Sequence, residues 1–284
     1  AAFGCHVDGT YLRAALKWRK KAFAHGESFL LDFVNNDMAD EYKKAMKNIG
    51  PRLKKLGEVT TKTMLPALRQ GGLGVVIDGK WKSKEWVKGL DLGKPLPMAE
   101  LGLLIGVSDA DKFAEAMQAY RSGFNDLYKA IRESSPDKDN IPEVSIPAPK
   151  TEKSEGGPLY WWELPETALD AQFLPTAGVG KNAAVLAFSK SHATRLMKPT
   201  PLKFRDPALS FKGDVTSVCL LDWVGVVDTV SPWLERIVGA ATAVPADDAE
   251  AAKKAKIEAL RLAKEIGSAL TIFKSFKGFT TVTR

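Results

Sequence analysis

The chain has 284 residues, 41 Lys+Arg against 34 Asp+Glu, with 45% hydrophobic and 26% charged residues. This is the composition of an ordinary globular protein with a real core, in one large domain or two modest ones, and it excludes a disordered, collagen-like or disulfide-dense chain. The longest apolar runs, around 101–107 and 183–188, are strand-sized and well short of the roughly 18–20 residues a membrane span needs.

The sequence opens on Ala1-Ala2-Phe3-Gly4-Cys5 rather than Met and ends on Phe279-Thr280-Thr281-Val282-Thr283-Arg284, which reads as a strand. A processed or partial chain is expected. Gly4-Cys5 has no hydrophobic leader before it, so a buried or incidental cysteine is the expectation there. Cys5 and Cys219 are too few and too distant to imply a disulfide framework.

Residues 1–70 form the first of four expected regions, an N-terminal helical one. It holds 13 Lys+Arg and 7 Asp+Glu, and so contributes +6 of the net +7. Arg13, Lys17, Arg19, Lys20 and Lys21 cluster in one expected helix, Thr10 to His25. The plain reading is a solvated face; the functional one is contact with phosphate or an anionic membrane surface. Nucleic acid is not an expected partner, because no zinc-finger spacing, aromatic RNA-binding strand or KH loop accompanies the charge. Helices over Ser28–Ile49 and Arg52–Leu68 follow, with a break at Gly50-Pro51.

Residues 71–133 form the second region. Leu73 to Trp81 reads as a strand and Ser83 to Val87 as a short helix capped by Ser83. Leu101 to Val107 is an apolar strand running into Ser108-Asp109-Ala110-Asp111 and a helix through Ile131. The same plan recurs at Ala183–Phe188 with Ser189, and at Val215–Leu221 with Asp222. In each case the Ser or Asp oxygen can accept an unpaired N–H of the first helical turn. Residues 134–158 form a Pro-rich connector expected to run extended.

Residues 159–284 complete the chain as a second α+β half, expected to share one domain with 71–133. Strands are expected at Leu159–Leu164 and Gln172–Leu174, a helix restart at Ser231-Pro232, and an amphipathic helix over 246–266. The fold class is therefore α+β: a mixed or mainly antiparallel sheet of repeated strand–helix units, with an N-terminal helical region.

Candidate chemistry is sparse. Thr176 to Asn182 superficially matches a P-loop but lacks the first Gly and the Ser/Thr after Lys181, and it precedes a strand; a hairpin turn is expected. His6, His25 and His192 lie apart from one another and from the cysteines, so no metal, cofactor or catalytic set is legible from spacing. Ser189 and His192 are close in sequence, but Ser189 is explained as a cap. Asp109 and Asp111 sit in a first helical turn, where capping and the helix dipole account for them. Asp78, Asp91, Glu100 and Asp222 lie near strand ends. A catalytic reading would require several of Asp78, Glu100, Asp109, His192 and Asp222 to meet in one cleft. Tyr160-Trp161-Trp162 puts large aromatics on both faces of one strand, as core packing or as a partner or ligand surface.

Several segments together resemble a known family: Met64 to Leu68, Val75 to Lys80, Lys84 to Trp86, Pro95 to Leu101, Gly106 to Ala110, Lys198 to Leu202 and Ser231 to Trp233. They are similar to a family of uncharacterised proteins common in planctomycete-type bacteria, whose members usually carry an export signal. The resemblance spans roughly residues 60–240. It implies an exported, periplasmic or envelope-associated protein and assigns no catalytic residue. The expected function is a non-enzymatic structural or interaction subunit, with protein partners or self-assembly. The alternatives are a carrier for an apolar or amphipathic ligand, and an enzyme with an unrecognised site.

Overall fold

The computed structural model describes residues 2–5, 36–163, 169–198, 217–242 and 249–283, with single positions and short runs between 14 and 28. Among the described residues nine strands form one sheet: β1 (Ala2–Cys5), β2 (Leu68–Ser83), β3 (Leu96–Val107), β4 (Lys150–Ser154), β5 (Gly157–Trp161), β6 (Thr176–Val179), β7 (Ala183–Ala187), β8 (Ser217–Leu221) and β9 (Phe279–Thr283). Their order is β4-β5-β6-β7-β3-β2-β1-β8-β9. Every pairing is antiparallel. Besides helical positions between 14 and 28, the described residues form the helices α1 (Asn36–Val59), α2 (Ala110–Ser134), α3 (Lys190–Met197), α4 (Trp223–Thr242) and α5 (Ala249–Phe273). The fold is α+β, as the sequence predicts.

The three strand–helix units form on an antiparallel sheet, residues 215 and 216 of the third lying outside the described residues, and the first two carry the expected caps. Asp109 accepts the Lys112 N–H at 3.0 Å and starts α2. Ser189 accepts the His192 N–H at 3.1 Å and starts α3. Asp222 immediately precedes α4. Such a cap contributes about 0.5–2 kcal/mol.

Several boundaries differ from the expectation, each for a local reason. The break at Gly50-Pro51 is absent: α1 runs through Pro51 and continues by a π-turn at Thr60–Met64 and a last turn at Leu65–Ala67. Its long packing against α2 outweighs the lost hydrogen bond of one proline. Thr60 Oγ1 and Tyr120 Oη lie 2.6 Å apart across that seam. Likewise Pro232 lies inside α4 rather than starting a helix. Ser83 ends β2 and accepts the Glu85 N–H at 3.0 Å, closing a turn where a short helix was expected. Residues 172–174 are irregular, not a strand. The connector turns into the β4–β5 hairpin, closed at Gly157 with φ +131°. The segment resembling a P-loop is the β6–β7 hairpin.

Antiparallel neighbours point to the same side of a sheet, which defines its two faces. One face bears Glu100, Gly102, Leu104, Val185 and Ala187, and α3 packs on it through Ala193, Leu196 and Met197. Helix α4 covers its neighbouring part: the Trp233 indole donates to the Pro97 carbonyl at 2.8 Å, and Trp86 meets Trp233 edge-on. On the opposite face the start of α2 covers one corner, where Phe113 packs with Ala67, Val107, Val179 and Ala184. The middle of that face is apolar and open. Leu101 is 42% and Leu186 49% exposed, with Leu103 opposite Leu186 and Ile77 opposite Leu101.

Candidate functional site

The central strand pair carries a charge into the core. Glu100 interrupts the apolar run of β3, and its side chain is fully buried on the face under α3. Directly opposite on β2 is Asp78, partly exposed. Between Asp78 and Trp81, β2 has one residue more than β3, a bulge that releases backbone from the ladder. The Lys80 N–H uses that freedom to donate to Asp78 Oδ1 at 3.2 Å.

Helix α3 supplies the rest. Arg195 Nη2 donates to Glu100 Oε2 at 2.6 Å and to both Asp78 oxygens at 3.1 Å. The Ser189 hydroxyl donates to Glu100 Oε1, so this one residue both caps α3 and solvates the buried carboxylate. Ser191 Oγ lies 3.1 Å from Ser189 Oγ. His192 is completely buried, with Nε2 3.8 Å from Asp78 Oδ2, beyond hydrogen-bond distance. Neither ring nitrogen has a hydrogen-bonding partner among the described residues. Gly102, two residues along from Glu100, makes room for this ring: a Cβ there would lie 3.0 Å from His192 Cε1 and would overlap Leu196.

The electrostatics follow from this geometry. Burial holds the His192 imidazole below its ordinary 6.5; Asp78 and Glu100 pull it upward, while Arg195 and Lys80 add to the lowering. Burial pushes the Asp78 carboxyl up, but the Lys80 N–H, His192, Arg195 and its link to Glu100 together outweigh this and hold it below the usual carboxylate value. At neutral pH Asp78 is therefore ionised and the His192 imidazole neutral with free lone-pair capacity, beside the Glu100–Arg195 ion pair.

A catalytic reading needs several of five residues to meet, and three do: Asp78, Glu100 and His192. One donor atom from each lies within 4.8 Å of the others. Asp109 serves as the α2 cap and pairs with Lys112 at 3.0 Å. Asp91 accepts the Gly93 N–H in a loop, and Asp222 stands at the start of α4. Arg195, which organises the cluster, escapes sequence reasoning. The readable signals were Glu100 within an apolar strand and Gly102 beside it.

The expected partner surface, Tyr160-Trp161-Trp162, is half-buried. Tyr160 packs on the Phe113 cluster, and Lys190 Nζ lies 4.2 Å over the Trp161 ring. The Trp162 indole donates to the Pro147 carbonyl at 3.1 Å. In the basic N-terminal cluster, Lys17 and Lys21 are helical and exposed; Arg13, Arg19 and Lys20 lie outside the described residues. Cys219 is a half-buried free thiol on β8. Among the described residues, no helix is long and apolar enough to cross a membrane. A groove of about 260 Å³ lies between α4 and α5, lined by Leu234, Val238, Ile266 and Leu270 among others. It is smaller than the roughly 300–1,000 Å³ typical of ligand sites and lies between two helices, not between sheet and helix.

Comparison with known proteins adds no neighbour: no family model, curated protein or solved structure matches the chain.

Proposed function

We propose that this protein is a non-enzymatic interaction subunit of a larger assembly, associated with the cell envelope. The observation that carries the reading is the open apolar middle of the sheet. Leu101, Leu103 and Leu186 are contiguous across β3 and β7, with Ile77 beside them, and three of the four side chains are more than two-fifths exposed. A sheet normally buries its apolar face under a second layer, and large exposed apolar patches mark association sites. The occupant that fits a flat face two strands wide and more is an apolar protein layer, a helix or sheet from another chain. The envelope location rests on what the sequence resemblance over roughly residues 60–240 implies, and on that alone.

Native mass spectrometry of the protein taken from its source tests this reading. The expected result is a homo- or hetero-oligomer that dissociates when Leu101→Glu and Leu186→Glu are introduced together. Both sites are exposed, so the monomer should keep its melting temperature. A bare monomer would overturn the proposal, as would an oligomer indifferent to the two substitutions. A monomer retaining a small apolar molecule would replace it with the carrier reading.

A further inference from the structure

We infer that Asp78, Glu100 and His192 form a binding site for a first-row divalent metal ion, with Zn²⁺ the first candidate. The site comes from three rigid elements, β2, β3 and α3, rather than from a sequence motif. Its donor atoms, two carboxylate oxygens and an imidazole nitrogen, lie within 4.8 Å of one another. Zinc takes such ligands at about 2.0–2.2 Å, which sets tetrahedral ligand atoms roughly 3.3–3.6 Å apart, so side-chain shifts of about an ångström would bring all three onto one ion.

The imidazole supplies an observation independent of the acids. A completely buried side chain whose two ring nitrogens both lack a hydrogen-bonding partner is rare, because buried polar atoms are nearly always satisfied. The ring is held beside the carboxylates by the space at Gly102. A metal ion is a ligand that would satisfy it there.

The outer contacts resemble those around metal sites, where ligating carboxylates are themselves hydrogen-bonded. Ser189 and Arg195 hold Glu100; the Lys80 N–H and Arg195 hold Asp78. Asp78 Oδ1 accepts two hydrogen bonds, whereas Asp78 Oδ2 and both Glu100 oxygens accept one each and keep a lone pair for an ion. The partial exposure of Asp78 gives the ion a way in from solvent. Arg195 already neutralises one of the two negative charges, which argues for moderate affinity. This inference is independent of the apolar face on the opposite side of the sheet.

The test uses the full chain, stripped with chelator and titrated with ZnCl₂ by calorimetry, with CoCl₂ in parallel to read coordination from its visible absorption. The expected result is one equivalent bound, a melting temperature raised by several degrees and reversed by EDTA, and affinity at least tenfold weaker in both Asp78→Asn and His192→Gln. Asp78 is partly exposed, so Asp78→Asn reports on binding even if His192→Gln fails to fold. No saturable uptake at millimolar metal would overturn the inference. So would undiminished uptake in Asp78→Asn, which would place the ion elsewhere.

Discussion

Replacing Arg195 by Met isolates the contribution of the buried charge cluster. The side chain keeps its length and apolar stem but loses the guanidinium that reaches Glu100 at 2.6 Å and Asp78 at 3.1 Å. Glu100 is fully buried, so its bond to Arg195 belongs with hydrogen bonds to charged groups, worth about 1.5–3 kcal/mol. Asp78 is partly exposed, and its share is discounted to about 0.5–1 kcal/mol. A buried carboxylate left with only Ser189 adds its own desolvation penalty, which brings the expected loss to about 3–5 kcal/mol. For a chain of this size that is roughly 6–20 °C in melting temperature. Urea unfolding followed by tryptophan fluorescence reads it directly. The double variant Arg195→Met/Glu100→Gln removes the orphaned charge while leaving an acceptor for Ser189, and should recover at least half of the loss. A single variant within about 1 kcal/mol of the parent, or a double variant no better than the single, would refute the claim that a desolvated ion pair ties α3 to the sheet.

Three further outcomes follow from the same contacts. Ser189→Ala removes both the α3 cap and the hydroxyl bound to Glu100, and should lose about 2–4 kcal/mol in urea unfolding; a loss typical of a cap alone would show that Glu100 does not depend on it. Gly102→Ala inserts a methyl against Leu196 and the His192 ring, and should lower stability by about 1–3 kcal/mol in thermal melts; an unchanged melt would mean that α3 shifts freely. His192 titrates in the fold below its ordinary 6.5, facing Asp78, Glu100, Arg195 and Lys80, so the unfolded chain binds its proton first on acidification. Its contribution is complete above about pH 6.5 and is lost as pH falls through the depressed folded value, while that of Asp78 is complete above its ordinary 3.8 and is lost in stronger acid, as pH falls through its own depressed value. The urea midpoint should therefore fall from neutral pH toward pH 5 in the parent and fall less in His192→Gln; equal slopes would refute the assignment.

The parts of the fold legible in the sequence are those fixed by local chemistry. Asp109 and Ser189 read as caps because a side-chain oxygen next to a helix start has one obvious use, and both make that bond. The β6–β7 hairpin read correctly because Gly180 and Asn182 are turn chemistry between two short apolar runs. The failures share the opposite character. Pro51 and Pro232 looked like boundaries, yet each lies within a long helix held by tertiary packing, where one missing N–H is a minor loss. Asp78, Glu100 and His192 stood among the candidates, but their convergence was not legible, for the same reason. Asp78, Glu100 and His192 are separated by 22 and 92 residues in the chain, and only strand pairing and the landing of α3 bring them together. Arg195 is an ordinary helix-surface residue by pattern. Nothing local says that its guanidinium turns inward.

Arg195 and a metal ion would act on the same two carboxylates, which sets up a decisive comparison. In the parent the two acids and the guanidinium sum to −1 with His192 neutral, and a divalent ion takes the cluster to +1. In Arg195→Met the sum is −2, and the same ion brings it to zero. Losing Arg195 also loosens the ligands, which by itself lowers affinity. Each carboxylate, however, keeps one positioning bond, Glu100 from Ser189 and Asp78 from the Lys80 N–H. The electrostatic change should therefore dominate. A unit charge about 5 Å away is worth ~3 kcal/mol at an effective dielectric constant of 20, an upper bound that still leaves room for a tenfold gain in affinity. Zinc should accordingly bind Arg195→Met at least tenfold more tightly than the parent and raise its melting temperature further, partly restoring what the substitution removed. Weaker binding by the variant would mean that Arg195 positions the ligands more than it repels the ion. Absence of any rescue would leave the cluster as a fastening between helix and sheet and nothing more.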